Sequence, residues 1–319
     1  MSGIRSAAAP TNTVGAAAPS PERDRRRRTR RLVRNLSAYA LVVPAAAFYV
    51  FFVLRPIFAS AQYSFYDWNG VGPSTWVGGA NYIEVFTNPK LVGAILNAFE
   101  LIIYFSIIPV AIALIAANII RAVAESRLAG VARTVLFLPQ VIPLVAAGIM
   151  WSWQLSTDGV VNQFLRLIGL DAVTTAWLGD FNTALPAVGV IGAWVQVGLC
   201  LVLILAGMTK IDPSLYEAAR IDGAGPVREF FAITLPGVRQ EIAVCVTVTV
   251  ISALAAFDII YISTQGGPGD STLVPGLQIF YLAFYQRDIG TASAFSIVLM
   301  ALVLIVVLPL QRILRGRES

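Results

Sequence analysis

The sequence has no histidine at all. That one gap removes histidine metal sites, histidine general bases and Ser-His-Asp hydrolysis together. Cysteine is almost as scarce. Cys200 and Cys245 lie far apart, each inside an apolar stretch, and read as small buried residues rather than a disulfide framework. Lysine occurs only as Lys90, after Pro89, and Lys210, after Thr209. A phosphate-binding loop needs Gly-Lys-Ser/Thr after a glycine-rich turn, so this chain does not hold ATP in that way. Charge is thin overall. Charged residues make up 13% of the 319, against about 25% in soluble domains, too few to cover a water-exposed surface.

Apolar residues are abundant instead, at 57%, and they come in blocks of the length needed to cross a hydrocarbon core about 30 Å thick. The blocks fall at about 38–58, 95–120, 134–154, 184–207, 242–263 and 289–310. The expected fold is therefore all-α, a polytopic membrane protein of about six transmembrane helices filling residues 37–311. Several blocks contain proline (Pro44, Pro109, Pro139, Pro143, Pro186, Pro309), which a span tolerates where neighbours satisfy the freed carbonyl. Ala59-Ser60-Ala61 has the look of a signal-peptidase site, but the apolar stretch and its leader are too long for a cleaved signal. No soluble domain and no internal repeat stand out.

Charge placement orients the bundle. With both termini cytoplasmic, 19 of the 23 basic residues fall inside, leaving only Arg55, Lys90, Arg166 and Arg287 outside. This is the positive-inside bias of a multi-pass cell-membrane protein. It also accounts for the net charge of +5 without any nucleic acid. Residues 1–36 hold a basic cluster from Arg23 to Arg34. Such a tail cannot bury a core and is expected to be a disordered cytoplasmic anchor touching anionic lipid. Residues 312–319 form a second short cytoplasmic tail.

The most informative stretch is the third cytoplasmic segment, 212–236. Asp212 suits an N-cap and Pro213 the first helical position. Gly223 permits the left-handed turn that ends a helix near Asp222. Gly225-Pro226 starts a second short helix, which Pro236 is expected to close. On the first helix Leu215, Ala218, Ala219 and Asp222 fall on one face; on the second, Val227, Phe230, Phe231 and Thr234 do. A capped helical hairpin this long exceeds what a connector needs.

Within it, Glu217-Ala218-Ala219, Asp222-Gly223-Ala224, Phe230, Ile233 and Leu235-Pro236 resemble the EAA loop of ABC importer permeases. The resemblance extends to Trp76-Val77-Gly78-Gly79-Ala80-Asn81-Tyr82, to Phe137-Leu138-Pro139 with Pro143 and Trp151, and to Phe257-Asp258-Ile259-Ile260-Tyr261 with Thr264-Gln265-Gly266-Gly267-Pro268 and Thr272. These last features are similar to the carbohydrate-uptake branch, and within it to the first of two paired permeases, as in maltose and glycerol-phosphate importers. The resemblance implies a bacterial permease without its own ATPase site. It implies a cytoplasmic ATPase dimer that binds ATP and magnesium, a second permease, an extracytoplasmic solute-binding protein, and an ATPase contact at Leu215, Glu217, Ala218, Ala219, Asp222, Gly223 and Phe230.

For the solute, a sugar or polyol suits the polar and aromatic side chains inside the spans. The pathway candidates are Asn97, Glu100, Trp151, Gln154, Trp194, Gln196, Asp258 and Tyr261. Carboxylates and amides bond hydroxyls, and aromatic faces stack on C–H surfaces. The main rival is an ion-gradient-driven secondary transporter, which would favour inverted repeats and paired midplane carboxylates. A membrane enzyme lacks a nucleophile motif here, and a channel lacks a filter-like segment.

Overall fold

The computed structural model describes residues 42–315, with side chains to Ile313. The arginine-rich tail of residues 1–36, the start of the first predicted helix and the last four residues lie outside the described residues. The chain divides into two compact units, Met1–Phe58 and Ala59–Ser319. The described part of the first unit is helical, with a wider π turn at Val50–Leu54. Its Phe48 and Phe52 rings meet at 4.3 Å, and the Arg55 guanidinium sits 5.0 Å from the Phe51 ring.

In chain order the helices are α1 (Val42–Tyr63), α2 (Ala80–Thr87), α3 (Pro89–Ala122), α4 (Arg127–Val141), α5 (Leu144–Gln154), α6 (Val160–Leu167) and α7 (Ala184–Met208). Then follow α8 (Pro213–Ile221), α9 (Pro226–Gly237), α10 (Arg239–Leu254), α11 (Asp258–Ser263), α12 (275–286) and α13 (Ile289–Arg315). A two-stranded antiparallel ribbon pairs β1 (Tyr66–Asp67) with β2 (Thr75–Trp76) between α1 and α2.

Among the described residues, α1, α3, α7 and α13 are each long and apolar enough to cross a membrane. The pairs α4–α5 and α9–α10 meet that test together, bent by 102° and 71°, which makes six spans if each pair counts once. The third apolar block is thus two helices rather than one. Ile142 takes an extended backbone ahead of Pro143, a conformation that the proline ring favours for the residue before it, although Leu138 ahead of Pro139 stays helical. The fifth block also splits. Phe257 leaves the helical region between α10 and α11, at φ −146° and ψ −63°.

Helix α7 is the centre of the second unit. It packs against the second half of α3, against α4 and against α10. Glycines allow the close approach. A Cβ at Gly189 would lie 2.7 Å from Tyr104 Cβ, and one at Gly192 would overlap the Phe105 ring. Cys200 and Cys245 are buried free thiols on α7 and α10, with Cys245 Sγ 3.8 Å from the Cys200 carbonyl oxygen.

The loops between helices are pinned by polar side chains. Asn81 on α2 donates to the carbonyls of Ser64 (2.9 Å) and Tyr66 (3.0 Å). Buried Asn162 on α6 donates to three carbonyls, those of Ser156, Thr157 and Thr175, and accepts from Trp177 Nε1 at 2.8 Å. The bonds to carbonyls satisfy backbone groups that have no helical partner.

Candidate functional site

Candidate residues gather at two places: the hairpin α8–α9 and a cavity within the bundle whose wall takes in Gln196 and Asp258.

The hairpin forms for local reasons. The Asp212 side chain accepts the Ser214 N–H at 2.9 Å and caps α8. That backbone hydrogen bond holds the Asp212 carboxyl below its ordinary value. Gly223 turns the chain at φ +79°, a conformation that penalises any residue with a Cβ. Helix α9 is irregular, with a π turn over Phe230–Thr234, and it runs past Pro236 to Gly237. The helix stops one residue after Pro236 and the chain bends by 71° there, so the proline marks the end of α9 to within a residue.

One side of the hairpin is fixed to the rest of the unit by a buried polar cluster. Tyr216 is buried, and its hydroxyl lies 3.0 Å from Thr234 Oγ1. Arg121, at the end of α3, sets its guanidinium 3.8 Å from the centre of the Tyr216 ring. Buried Glu229 bonds Arg220 Nε at 2.9 Å and lies 3.7 Å from Arg121 Nη2. The Glu229 hydrogen bond holds the Arg220 guanidinium above its ordinary value.

The other side is open. Leu215 is 52% exposed, Ile221 86%, Val227 71% and Phe231 61%, with Glu217, Ala218, Asp222 and Gly223 exposed beside them. Ala219 and Phe230 are only half-exposed. The face expected on the second helix is therefore split: Val227 and Phe231 point outward while Thr234 is buried. The π turn accounts for this. An extra residue per turn breaks the 3.6-residue phase on which a shared face depends. Ile221, Val227 and Phe231 join the open surface, although sequence reasoning did not select them as contacts. The signal was present, because Ile221 falls three residues after Ala218 and four after Glu217.

The cavity has a volume of about 390 Å³. Gln196 and Asp258 line it, as does Phe105, and so do Gln140 and Ser252, which were not among the candidates. Gln140 Oε1 is buried without a protein partner. Its clue in the sequence was an amide lodged between Pro139 and Pro143 in an apolar block. Trp151 and Trp194 meet edge to face at 5.6 Å, and Trp151 Nε1 is likewise buried and unpaired. Tyr261 stacks on Phe257 at 5.4 Å, and Phe257 is part of the cavity wall. Gln154 is half-buried at the end of α5.

Asn97 and Glu100, like Trp151, Gln154, Trp194 and Tyr261, are not in the cavity wall. Asn97 donates to the Leu273 carbonyl at 2.8 Å, and so ties α3 to the loop that contains Gly266-Gly267-Pro268. Lys90 reinforces the tie by pairing with Asp270 at 2.9 Å. Glu100 is on an exposed flank of α3.

Residues 109–318 match the family described as binding-protein-dependent transport system inner membrane component. The chain belongs to that family. The matched stretch takes in the hairpin and most of the cavity wall. Among its relatives, a probable ABC transporter permease protein of Bacillus subtilis, YurN, is 35% identical over 83% of this chain and 91% of its own length. The diacetylchitobiose uptake system permease protein NgcF of Streptomyces coelicolor is 33% identical over 93% of this chain and 88% of its own length. A chain in the crystal structure of a bacterial ABC transporter that imports the acidic polysaccharide alginate superposes with a TM-score of 0.79. It is 25% identical, and the match covers 92% of this chain and all of that one. Membership of the binding-protein-dependent permeases makes this chain a membrane transport subunit. It is also consistent with the membrane-crossing role that the composition suggested for the apolar segments.

Proposed function

We propose that this chain is one permease of an ATP-driven sugar importer, and that its α8–α9 hairpin is the contact for a separate cytoplasmic ATPase. The observation that carries the reading is the hairpin's two-sided build. A polar cluster anchors one side, while the other offers Leu215, Ala218, Ile221, Val227 and Phe231 to a partner. An exposed apolar patch of this kind on short, capped helices is the signature of helix-in-groove recognition.

The subunit is proposed to sit in the bacterial cell membrane as a multi-pass protein with both ends inside. It would pair with a second permease across the solute pathway and receive solute from an extracytoplasmic binding protein. Magnesium and ATP belong to the ATPase dimer. Closure of that dimer carries the hairpin as a rigid lever and switches the bundle between inward-open and outward-open states. The cavity lined by Gln140, Gln196, Ser252 and Asp258 is this chain's share of the pathway. Its amides, hydroxyl and carboxylate suit hydroxyl groups, and sugar uptake is what the name of the Streptomyces relative specifies.

The test is crosslinking. A cysteine replacing Ala218, in the assembled importer, is expected to give a covalent product with the ATPase subunit, and its absence would overturn the assignment. Uptake into vesicles should also require ATP and resist proton uncouplers at constant ATP. Dependence on the proton gradient alone would favour a secondary transporter instead.

A further inference from the structure

The hairpin is joined to the cavity by two routes. One is covalent: α9 runs into α10, which carries Val248 and Ser252 of the cavity wall. The other passes through Arg121. We propose that Arg121 is the positioning residue that converts movement of the hairpin into movement of α3, and through α3 of the cavity wall. This rests on the hairpin being the ATPase contact.

The geometry is specific. Arg121 occupies the last turn of α3 and touches both arms of the hairpin. It covers the ring of Tyr216 on α8, with the guanidinium 3.8 Å from the ring centre. It also pairs with Glu229 on α9 at 3.7 Å. Both partners are buried, at 6% and 5% exposure. A cation on an aromatic face and beside a carboxylate is held from two directions once water is excluded. Arg220 of α8 bonds the same Glu229 and closes the cluster. The remaining Arg121 contact, to Asn118 Oδ1 at 3.5 Å, lies within α3 itself.

Sixteen residues toward the other end of the same helix stands Phe105, which lines the cavity. At 1.5 Å per residue that separation is about 24 Å. The helix is unbroken over this length, with Phe105 inside a π turn at Ile103–Ile107, and it transmits displacement as a rod. The fixed end is the grip of Arg121 on the hairpin, and the working end is an aromatic side chain in the cavity wall. Coupling between two distant sites can be carried by such a rigid element with a defined attachment at each end.

The experiment uses the assembled importer in proteoliposomes and reads ATP hydrolysed per solute taken up. Arg121→Gln removes the charge, and with it both the ring contact and the ion pair. Hydrolysis is expected to continue while uptake falls at least about tenfold, so that the ATP-to-solute ratio rises by that factor. Arg121→Lys keeps a cation near Glu229 and is expected to recover part of the coupling. Glu229→Gln, which leaves the guanidinium on Tyr216, should give an intermediate ratio and serves if Arg121→Gln does not assemble.

An unchanged ratio in both Arg121→Gln and Glu229→Gln would overturn the proposal, as would hydrolysis and uptake falling in parallel. The Ala218 crosslink separates this failure from failure of the hairpin assignment. If the crosslink forms in every variant and the ratio does not move, only the role of Arg121 is wrong. If it never forms with Arg121 intact, the hairpin assignment is wrong as well.

Discussion

Gly192→Ala tests the packing of the bundle most directly. The added methyl would lie 2.5 Å from Phe105 Cδ1, with two further ring carbons nearer still, where carbon atoms prefer about 3.5 Å or more. The ring must retreat by about 1 Å or more. Phe105 is 5% exposed inside the main hydrophobic cluster, so the space open to it is the cavity it lines. Overpacking of this kind costs about 1–3 kcal/mol, and the upper end applies where the obstacle is a buried ring. Alanine's helix preference returns about 1 kcal/mol. The net loss is about 2 kcal/mol, or about 4 °C in melting temperature for a chain of this size.

Gly93→Ala on α3 is the matched control. No atom comes within 4 Å of a Cβ there, so the helix preference acts alone and raises stability by up to about 1 kcal/mol. The two cysteines provide the readout. Both are buried free thiols, so a thiol-reactive fluorophore reports unfolding of the purified protein in detergent as they become accessible. Gly192→Ala melting at or above the unsubstituted protein would refute the close approach of α7 to α3.

The same melting assay serves three further substitutions. Asn162→Ala strips partners from Trp177 Nε1 and three carbonyls and should cost about 3 kcal/mol; a loss below about 1 kcal/mol would show that Asn162 does not pin the segment between α5 and α7. Asn81→Ala removes the two bonds to Ser64 and Tyr66 and should cost about 2 kcal/mol, with no change expected in the ATP-to-solute ratio. Trp151→Phe deletes a buried N–H that has no protein partner, so melting should stay within about 2 °C, since no protein bond is lost. Uptake KM should rise severalfold if that N–H serves the solute, and an unchanged KM would remove Trp151 from the pathway.

What the sequence made legible was local. Asp212, Pro213, Gly223 and Gly225-Pro226 mark the hairpin's boundaries because caps and turns are decided by neighbours in the chain. Helix length and apolar content likewise announced the six apolar segments. The bends at Ile142 and Phe257 were less visible: proline inside an apolar block signals both a mild kink and the 102° turn seen at 142–143, and no proline marks the break at Phe257.

The pairing of side chains was not legible. Glu229 reads as a solvent-facing charge until Arg121, from a different helix, is placed beside it. Asn97 was an apt pathway candidate by residue type, yet its partner is the Leu273 carbonyl, 176 residues away. Phe230 and Phe231 exchanged their expected prominence because a π turn shifts the phase by an amount that no 3.6-residue pattern reveals.

The contacts of the glycines indicate which parts can move. Gly189 and Gly192 lock α7 onto α3, and Gly148 brings α5 against Ile262 of α11. Small residues at such crossings permit close van der Waals packing, the main source of adhesion between helices in lipid. Two locked pairs, α3 with α7 and α5 with α11, therefore contribute different parts of the cavity wall. The bends at 142–143 and 255–257 join the second pair to α4 and α10, which pack on α7, and Ile142, Ala255, Ala256 and Phe257 all line the cavity. In the proposed cycle a stroke delivered at Arg121 carries α3 and α7 together and is taken up at those bends. The cavity then changes shape because its hinges lie in its own wall, while the close-packed helices on either side stay straight. Gly192→Ala, by loosening the α3–α7 lock, should therefore raise the ATP-to-solute ratio as well as lower stability, an effect that packing loss at Asn81 does not share.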